Sequence, residues 1–156
     1  MLLFNGPVEV GIRAVILLNA VFPQSLDLNR ITILDHWTLH SGMISDLPSV
    51  HPDRTNSLGE LGLKRGSIEQ GLQLMRSAGM VSFIASAEGL SYRATEEAAG
   101  FLGLMEAPLV AALGTRAEWA ANHFAELTDT QAHQWMLSPL HSAEDPGNGT
   151  VWPPHA

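Results

Sequence analysis

The sequence predicts a mainly α-helical fold with one small β-hairpin. An amphipathic helical pattern over Ser67–Ala78 is followed directly by two short alternating runs, which are typical of a hairpin. Two helical patterns precede this unit and three follow it. We therefore predict a winged-helix-like core of three helices and a wing, followed by additional C-terminal helices.

The first helix is predicted over Phe4–Pro23. Pro7 suits a first turn, and Glu9 complements the positive start of a helix. Apolar residues occupy nearly every face, so this helix is expected in the centre of the domain. Arg13 is its one cation and must reach the surface or meet an acid.

The second helix is predicted over Leu28–His40, with Asp27 as its N-cap. The following stretch, Met43–Leu63, is rich in turn-forming residues and is predicted to be a loop. Loops of this length inside a compact domain are often functional or ordered by a partner.

The third helix and the hairpin form the centre of the prediction. The helix places Ile68, Leu72 and Met75 on one apolar stripe, with Gly71 and Leu74 beside it. Gly79 then stands where a left-handed C-cap is expected. The predicted strands of the hairpin are Met80–Ala85 and Leu90–Thr95.

Three further helices are predicted after the hairpin. Thr95 is the expected N-cap of the first, which ends before Pro108. The next covers Pro108–Phe124, and the last covers Thr130–Leu137 with Thr128 and Asp129 at its start. We expect a single domain over residues 1–138 and a disordered tail over residues 139–156, where Ser, Pro, Gly and acidic residues dominate.

Composition restricts the classes of function. The 156 residues include no cysteine, which excludes disulfides, thiolate metal sites and cysteine nucleophiles and fits a cytoplasmic protein. The apolar run Ala14–Phe22 is too short to span a bilayer, so no membrane association is expected. The net charge is -8, and residues 96–156 carry Arg116 alone against eight acids. Such a surface repels phosphate and disfavours a free-standing DNA binder.

Two sets of residues invite an enzymatic hypothesis. His36 and His40 have the spacing of two zinc ligands on one helix, but no third ligand is evident, and we expect histidines that bond to the neighbouring loop instead. His51 and Asp53 with a nearby serine could form a hydrolytic triad, but no nucleophile-elbow motif is present. We therefore expect neither catalysis nor a cofactor.

Cations near the third helix support an alternative, a winged-helix DNA-binding transcriptional regulator. Lys64, Arg65 and Arg76 surround this helix, and Arg93 lies in the second strand. The turn of the hairpin carries Glu88 instead of a cation, which favours a protein-facing surface.

Read together, short motifs along residues 4–137 resemble a known family. They are Phe4, Asn5, Pro7, Glu9, Gly11 and Arg13; Phe22, Pro23, Leu26, Asp27 and Leu28; Asp35, His40, Ser41 and Gly42; His51 and Pro52; Arg65, Ile68, Gly71, Leu72 and Leu74; Gly79, Met80 and Val81; Tyr92, Ala94 and Thr95; and the stretch Arg116–Trp119. In this order the chain resembles the middle components of bacterial ABC three-component systems. Met43 departs from the pattern, which often has an acid there.

The resemblance implies a non-catalytic adaptor between an SMC/ABC-type ATPase and an effector such as a nuclease. Its setting would be anti-phage or anti-plasmid defence, of which Lamassu-type systems are an example. The resemblance implies that the complex as a whole contacts DNA. It leaves open whether the chain also forms a homo-oligomer. The expected partner-binding residues are Arg13, Asp35, His40, Met43, His51, Lys64, Arg65, Arg76 and Trp119.

Overall fold

The computed structural model describes residues 6–50 and 58–137, with backbone alone for residues 58–61 and 136–137. In chain order these residues form α1 Pro7–Ala20, α2 Leu28–Leu39, a 3₁₀ helix Ser41–Met43, α3 Leu58–Ser77, β1 Val81–Ser86, β2 Gly89–Ala94, α4 Glu97–Gly103, α5 Pro108–His123 and α6 Asp129–Leu137. The predicted mainly helical fold with one hairpin is confirmed. Within the described ranges, every helix is too short or too polar to cross a lipid bilayer.

α1 and α2 form the middle of the molecule because both are apolar on nearly all sides. From Val10 to Leu18 every residue except Ile12 is buried, and so is every residue of α2 from Ile31 onward. α3 and α5 each pack against both of these helices. Since α3 and α5 bury only one stripe each, α1 and α2 separate two outer layers. We call them the α3–hairpin layer (α3, β1 and β2) and the C-terminal layer (α4 to α6).

α3 packs closely on α1 through its predicted stripe. Ile68, Leu72 and Met75 are all buried. Gly71 lies on the same face and meets Gly11 of α1, so the two helix backbones come into contact there. Leu74, which we placed beside the stripe, points outward and is 39% exposed.

The hairpin follows α3 through a glycine turn. Gly79 follows the helix with φ +83°, and Gly89, the first residue of β2, has φ +119°; positive φ favours glycine at both positions. The antiparallel register pairs Val81 with Ala94. These two residues and Tyr92 are buried, so the hairpin closes the core beside α1.

The C-terminal layer is attached to α2 by Arg30. Its Nη1 donates to the carbonyl oxygen of Phe124 at 3.0 Å, and its Nη2 donates to that of Leu127. Its Nε lies 2.8 Å from Asp129 Oδ1. The Phe124 ring also stacks on Trp37 of α2, with 6.0 Å between ring centroids. These contacts fix the turn between α5 and α6 on the middle of the molecule.

The loop predicted over Met43–Leu63 is wrong in its second part. α3 begins at Leu58, well before the predicted start at Ser67. Glycines in this stretch lower its intrinsic helix propensity, but Lys64 forms an ion pair with buried Asp35. This tertiary contact stabilises turns of helix that local propensity does not favour.

Two helix ends also differ from the prediction. α1 ends at Ala20 instead of Pro23. Thr95 does not cap α4, because its hydroxyl donates to the carbonyl oxygen of Gly79 at 2.7 Å. By contrast, Asp27 accepts from the Arg30 backbone nitrogen at 2.7 Å, which confirms the predicted N-cap of α2.

The start of α6 is confirmed as well. The Gln131 backbone nitrogen donates to Thr128 Oγ1 at 3.2 Å, and the Thr128 nitrogen donates to Gln131 Oε1 at 2.9 Å. This reciprocal pair is a capping box. The predicted tail over residues 139–156 lies outside the described residues, and the extent of the domain stays a prediction.

Candidate interaction surfaces

A buried ion cluster joins α1, α2 and α3. Arg13 donates to Asp35 through Nε to Oδ1 at 2.8 Å and through Nη2 to Oδ2 at 3.2 Å. Lys64 Nζ lies 2.9 Å from the same Oδ2. Arg13 is 4% exposed and Asp35 is 2% exposed, whereas the Lys64 side chain keeps a fifth of its surface. One carboxylate therefore holds three helices together from the inside.

The electrostatics of the cluster keep its central pair charged. Burial by itself would raise the pKa of Asp35, but the charges and hydrogen bonds of Arg13 and Lys64 lower it overall. For Arg13, burial opposes protonation, and Asp35 more than offsets it, so the pKa is raised. A charge-assisted bidentate pair of this kind is strong and also fixes the orientation of both side chains.

His36 of α2 and His40, the C-cap of that helix, lie together, as their spacing predicted. Their ring centroids are 4.9 Å apart. The pKa of His36 is lowered well below its ordinary value by burial and then by His40 and Lys64, so its ring is neutral at pH 7. Among the described residues no group of three or more His, Asp or Glu could hold a metal ion.

The segment after α2 is held against α5 by hydrogen bonds. Ser41 Oγ donates to the Leu47 carbonyl oxygen at 3.0 Å. Arg116 Nε, from α5, donates to the Pro48 carbonyl oxygen at 2.8 Å. The first part of the predicted loop is therefore fixed to the C-terminal layer by the chain's own contacts.

The predicted partner-binding residues differ in exposure. The buried ones are Arg13, Asp35 and His40. Those of intermediate burial are Met43, Lys64 and Trp119, and the exposed ones are Arg65 and Arg76. His51 lies outside the described residues. Only the second and third groups are placed where another protein can touch them directly.

The α3–hairpin layer is basic on its described surface. Its charged residues from residue 62 to residue 95 are Lys64, Arg65, Arg76 and Arg93 against Glu69 and Glu88. Arg65 donates to the side chain of Asn29. Arg76 lies over the Phe83 ring at 5.1 Å from its centroid, a cation–π arrangement. The same layer exposes Leu63, Leu74 and Leu90.

The C-terminal layer is acidic. Between residues 96 and 137 its charged residues are Glu96, Glu97, Glu106, Glu118, Glu126 and Asp129 against Arg116. Arg116 is occupied by the carbonyl oxygens of Pro48 and Ala112. The two outer layers of the molecule thus carry opposite net charge.

Two open grooves lie between the layers and the middle helices. One, of about 450 Å³, lies between α2, α3 and α6 and is lined by Thr32, Ile33, Arg65 and His133 among others. The other, of about 280 Å³, lies between α1, the α4–α5 connection and the start of α5. Its lining is mainly apolar.

Sequence reasoning missed two positioning residues, Arg30 and Arg116. Each is a cation within a mainly apolar helix, which indicates a partner. Both donate to backbone carbonyl oxygens, which have no sequence signature, and Arg30 also pairs with the Asp129 carboxylate. Their role follows from the packing of the helices alone.

Comparison with known families decides the assignment. A family model described as "ABC-three component (ABC-3C) system Middle Component 2" matches residues 3–143. The chain belongs to this family. No curated protein and no solved structure matches it significantly. The likeness of its core to a winged helix therefore remains a prediction.

Four motif residues of this Middle Component 2 chain lie at contacts between helices. Gly11 and Gly71 form the crossing of α1 and α3, and Arg13 pairs with Asp35 between α1 and α2. These four residues therefore join α1 to α3 and α1 to α2. Surfaces for the other components of the system must be sought among the exposed residues.

Proposed function

We propose that this chain is a non-catalytic adaptor that links an SMC/ABC-type ATPase to an effector in a bacterial defence complex. Membership of the Middle Component 2 family places it among the components of a three-component system. Anti-phage or anti-plasmid defence, as in Lamassu-type systems, is the setting that the proposal adopts. The complex would act in the cytoplasm, which suits a chain without cysteine.

The observation that supports a bridging role is the opposite charge of the two outer layers. The α3–hairpin layer carries four cations against two acids from residue 62 to residue 95, and the C-terminal layer carries six acids against one cation. α1 and α2 separate them, so the two surfaces face different surroundings. Because complementary charge selects and orients partners, one layer suits an acidic partner and the other suits a basic one.

The basic layer has the features of a docking surface. Arg65 and Arg76 are exposed on one side of α3, and Leu63 and Leu74 are exposed on another side of the same helix. Leu63 and Leu74 are three turns apart, so they lie on one side of the helix. Arginine is enriched in protein interfaces, which favours the side of α3 that carries Arg65 and Arg76.

The buried residues among the predicted partner-binding residues support this surface from the interior of the protein. Asp35 holds Lys64 at 2.9 Å and thereby positions the start of the exposed part of α3. Arg13 in turn orients Asp35. In the proposal, Met43 and Trp119 contribute partly exposed apolar contacts on the opposite side, and His51, eight residues after Met43 in the chain, contributes a further contact.

Co-expression with the other components of the system tests the adaptor role. The chain should elute in a stoichiometric complex on gel filtration. Arg65→Glu combined with Arg76→Glu should release one component and retain the other, since only the basic layer is reversed. Glu118→Lys, on the exposed face of α5, is the matched control and should keep the component that the double variant loses. A chain that elutes alone beside every component would refute the proposal.

A second candidate, direct DNA binding, is favoured by the cations of α3 and β2. Arg65, Arg76 and Arg93 are exposed on one layer. Titration of the isolated chain with duplex DNA at low salt should then show binding that weakens with added salt and with Arg76→Ala. Absence of a shift at low salt would remove this candidate and leave the adaptor role in place.

A further inference from the structure

The groove between α1 and the start of α5 has an apolar floor. It is lined by Ile12 of α1, Met105 of the α4–α5 connection, and Val110 and Leu113 of α5. Its volume is about 280 Å³. An apolar cavity of about 150 Å³ can accept benzene, so this groove has room for one aromatic or two aliphatic side chains.

The mouth of the groove is acidic. Glu9 and Glu106 both line it. Arg13 also contributes to its wall, but the guanidinium is bound to Asp35 at 2.8 Å and is almost fully buried. The cation is therefore compensated from within, and the two glutamates determine the charge that an approaching molecule meets.

Two exposed apolar residues are close in the chain to residues that line the groove. Val8 lies one helical turn before Ile12 on the same face of α1 and is exposed. Leu104 immediately precedes Met105 and is 83% exposed. Large side chains left open beside an apolar groove are typical of an interaction site.

The surrounding layer supplies the same sign of charge. Glu96 and Glu97 precede α4 and begin it, and no cation lies between them and Arg116 in the chain. A segment rich in lysine or arginine is therefore attracted to this side, and an acidic segment is repelled. In a symmetric dimer through this face the acidic rims of the two grooves would meet, which opposes such pairing.

We propose that this groove binds an apolar side chain presented by a basic segment of another protein component of the system. The proposal rests on the adaptor function and specifies the chemistry of one of its partners. The apolar side chain fills the floor between Ile12 and Val110, and flanking lysine or arginine residues meet Glu9 and Glu106. Binding needs both the apolar contact and the charge contacts, because charges at the rim of a site increase the association rate more than the affinity.

Fluorescence-polarisation titration of the full-length chain tests the proposal, with short overlapping peptides that cover the other components as probes. At least one peptide with an aromatic or aliphatic residue next to lysine or arginine should bind. Glu106→Lys should weaken that binding roughly tenfold or more, because it places like charges together. Replacement of the apolar residue of the peptide by alanine should weaken it to a similar extent.

Glu126→Lys is the matched control. It makes the same change of charge at an exposed position beyond the far end of α5, roughly 24 Å from the groove end of that helix. It should leave the affinity nearly unchanged. Equal weakening by Glu106→Lys and Glu126→Lys would show general attraction without a site and would overturn the proposal.

Three further outcomes separate this inference from the adaptor function. If the full complex forms on gel filtration but no basic peptide binds, the groove proposal is wrong and the adaptor role stands. If the chain instead forms a dimer in sedimentation analysis that Glu106→Lys disrupts, the occupant is a second copy, and the proposed partner is wrong. If no complex forms at all, the adaptor role itself fails.

Discussion

Gly11 of α1 and Gly71 of α3 face each other at the crossing of the two helices. A Cβ atom on Gly71 would lie 2.7 Å from the Gly11 backbone nitrogen and 2.9 Å from its Cα. A Cβ atom on Gly11 would lie 2.8 Å from the Gly71 carbonyl oxygen. The close approach of α1 and α3 therefore depends on the absence of a side chain at both positions.

Gly71→Ala is expected to destabilise the protein. The added methyl group meets backbone atoms that cannot rotate away, so the helices must separate, at a cost of about 1–3 kcal/mol. The free energy of unfolding from urea titration measures this change.

Gly66→Ala on the same helix is the control. A Cβ atom there has no neighbour within 4 Å, and alanine is the better helix former by about 1 kcal/mol. This variant should be at least as stable as the parent chain. If both variants changed stability in the same direction, the crossing would not be the cause.

Asp35→Asn is expected to destabilise the protein more than any surface change. It leaves buried Arg13 without its counter-charge and removes the ion pair to Lys64. Breaking a buried pair in this way costs about 3–5 kcal/mol. Asp46→Asn, in the exposed loop after α2, makes the same chemical change and should alter the unfolding free energy by less than about 0.5 kcal/mol.

Acid should remove the contribution that Asp35 makes to the free energy of unfolding of the parent chain. Its pKa is lowered on folding, so the native state binds fewer protons than the unfolded chain. The stabilisation is complete above the unfolded pKa of about 3.9 and declines as the pH falls below it. Urea titrations at a series of pH values should show a smaller loss below that point in Asp35→Asn than in the parent chain.

His36 should make the protein less stable below neutral pH. Burial and the neighbouring cation lower its pKa in the folded state, whereas the unfolded chain takes up a proton near pH 6.5. Unfolding therefore becomes more favourable as the pH falls from 6.5, by up to about 1.4 kcal/mol per pH unit.

His36→Phe should reduce the dependence of the unfolding free energy on pH between pH 6.5 and pH 5, whatever its effect on stability at pH 7. His123→Phe is the comparison. Burial also lowers the pKa of His123, but its side chain is exposed, so a smaller reduction is expected. An unchanged slope in His36→Phe would assign the acid sensitivity to other groups.

The sequence was sufficient to predict those parts of the fold that depend on the local pattern of residues. The all-round apolar character of α1 predicted a central helix, and Gly79 marked the end of α3. It failed at the start of α3, because the ion pair of Lys64 with Asp35 joins distant parts of the chain. Arg13 was chosen as a candidate because a cation in an apolar helix needs a partner, but only the fold shows that the partner is Asp35.

The charge of the outer layers was also partly visible in the sequence. The excess of acids after residue 95 was evident from composition alone. The consequence of this excess of acids could be judged only from the fold. The packing of the helices shows that these residues form a layer separated from α3 by α1 and α2. The groove beside Met105 has no sequence signature, because its wall combines residues from helices distant in the chain.

Leu72→Asp and Leu74→Asp should separate the inner and outer faces of α3. Leu72 is 0% exposed and lies in the packed core, whereas Leu74 is 39% exposed on the surface of the same helix. A carboxylate at position 72 would be buried without a partner, which costs several kcal/mol and should unfold the domain. Leu74→Asp should keep the circular dichroism spectrum of the parent chain and weaken only the binding of a component to the basic layer. Equal unfolding of the two variants would show that α3 has no free outer face and would remove the proposed docking surface.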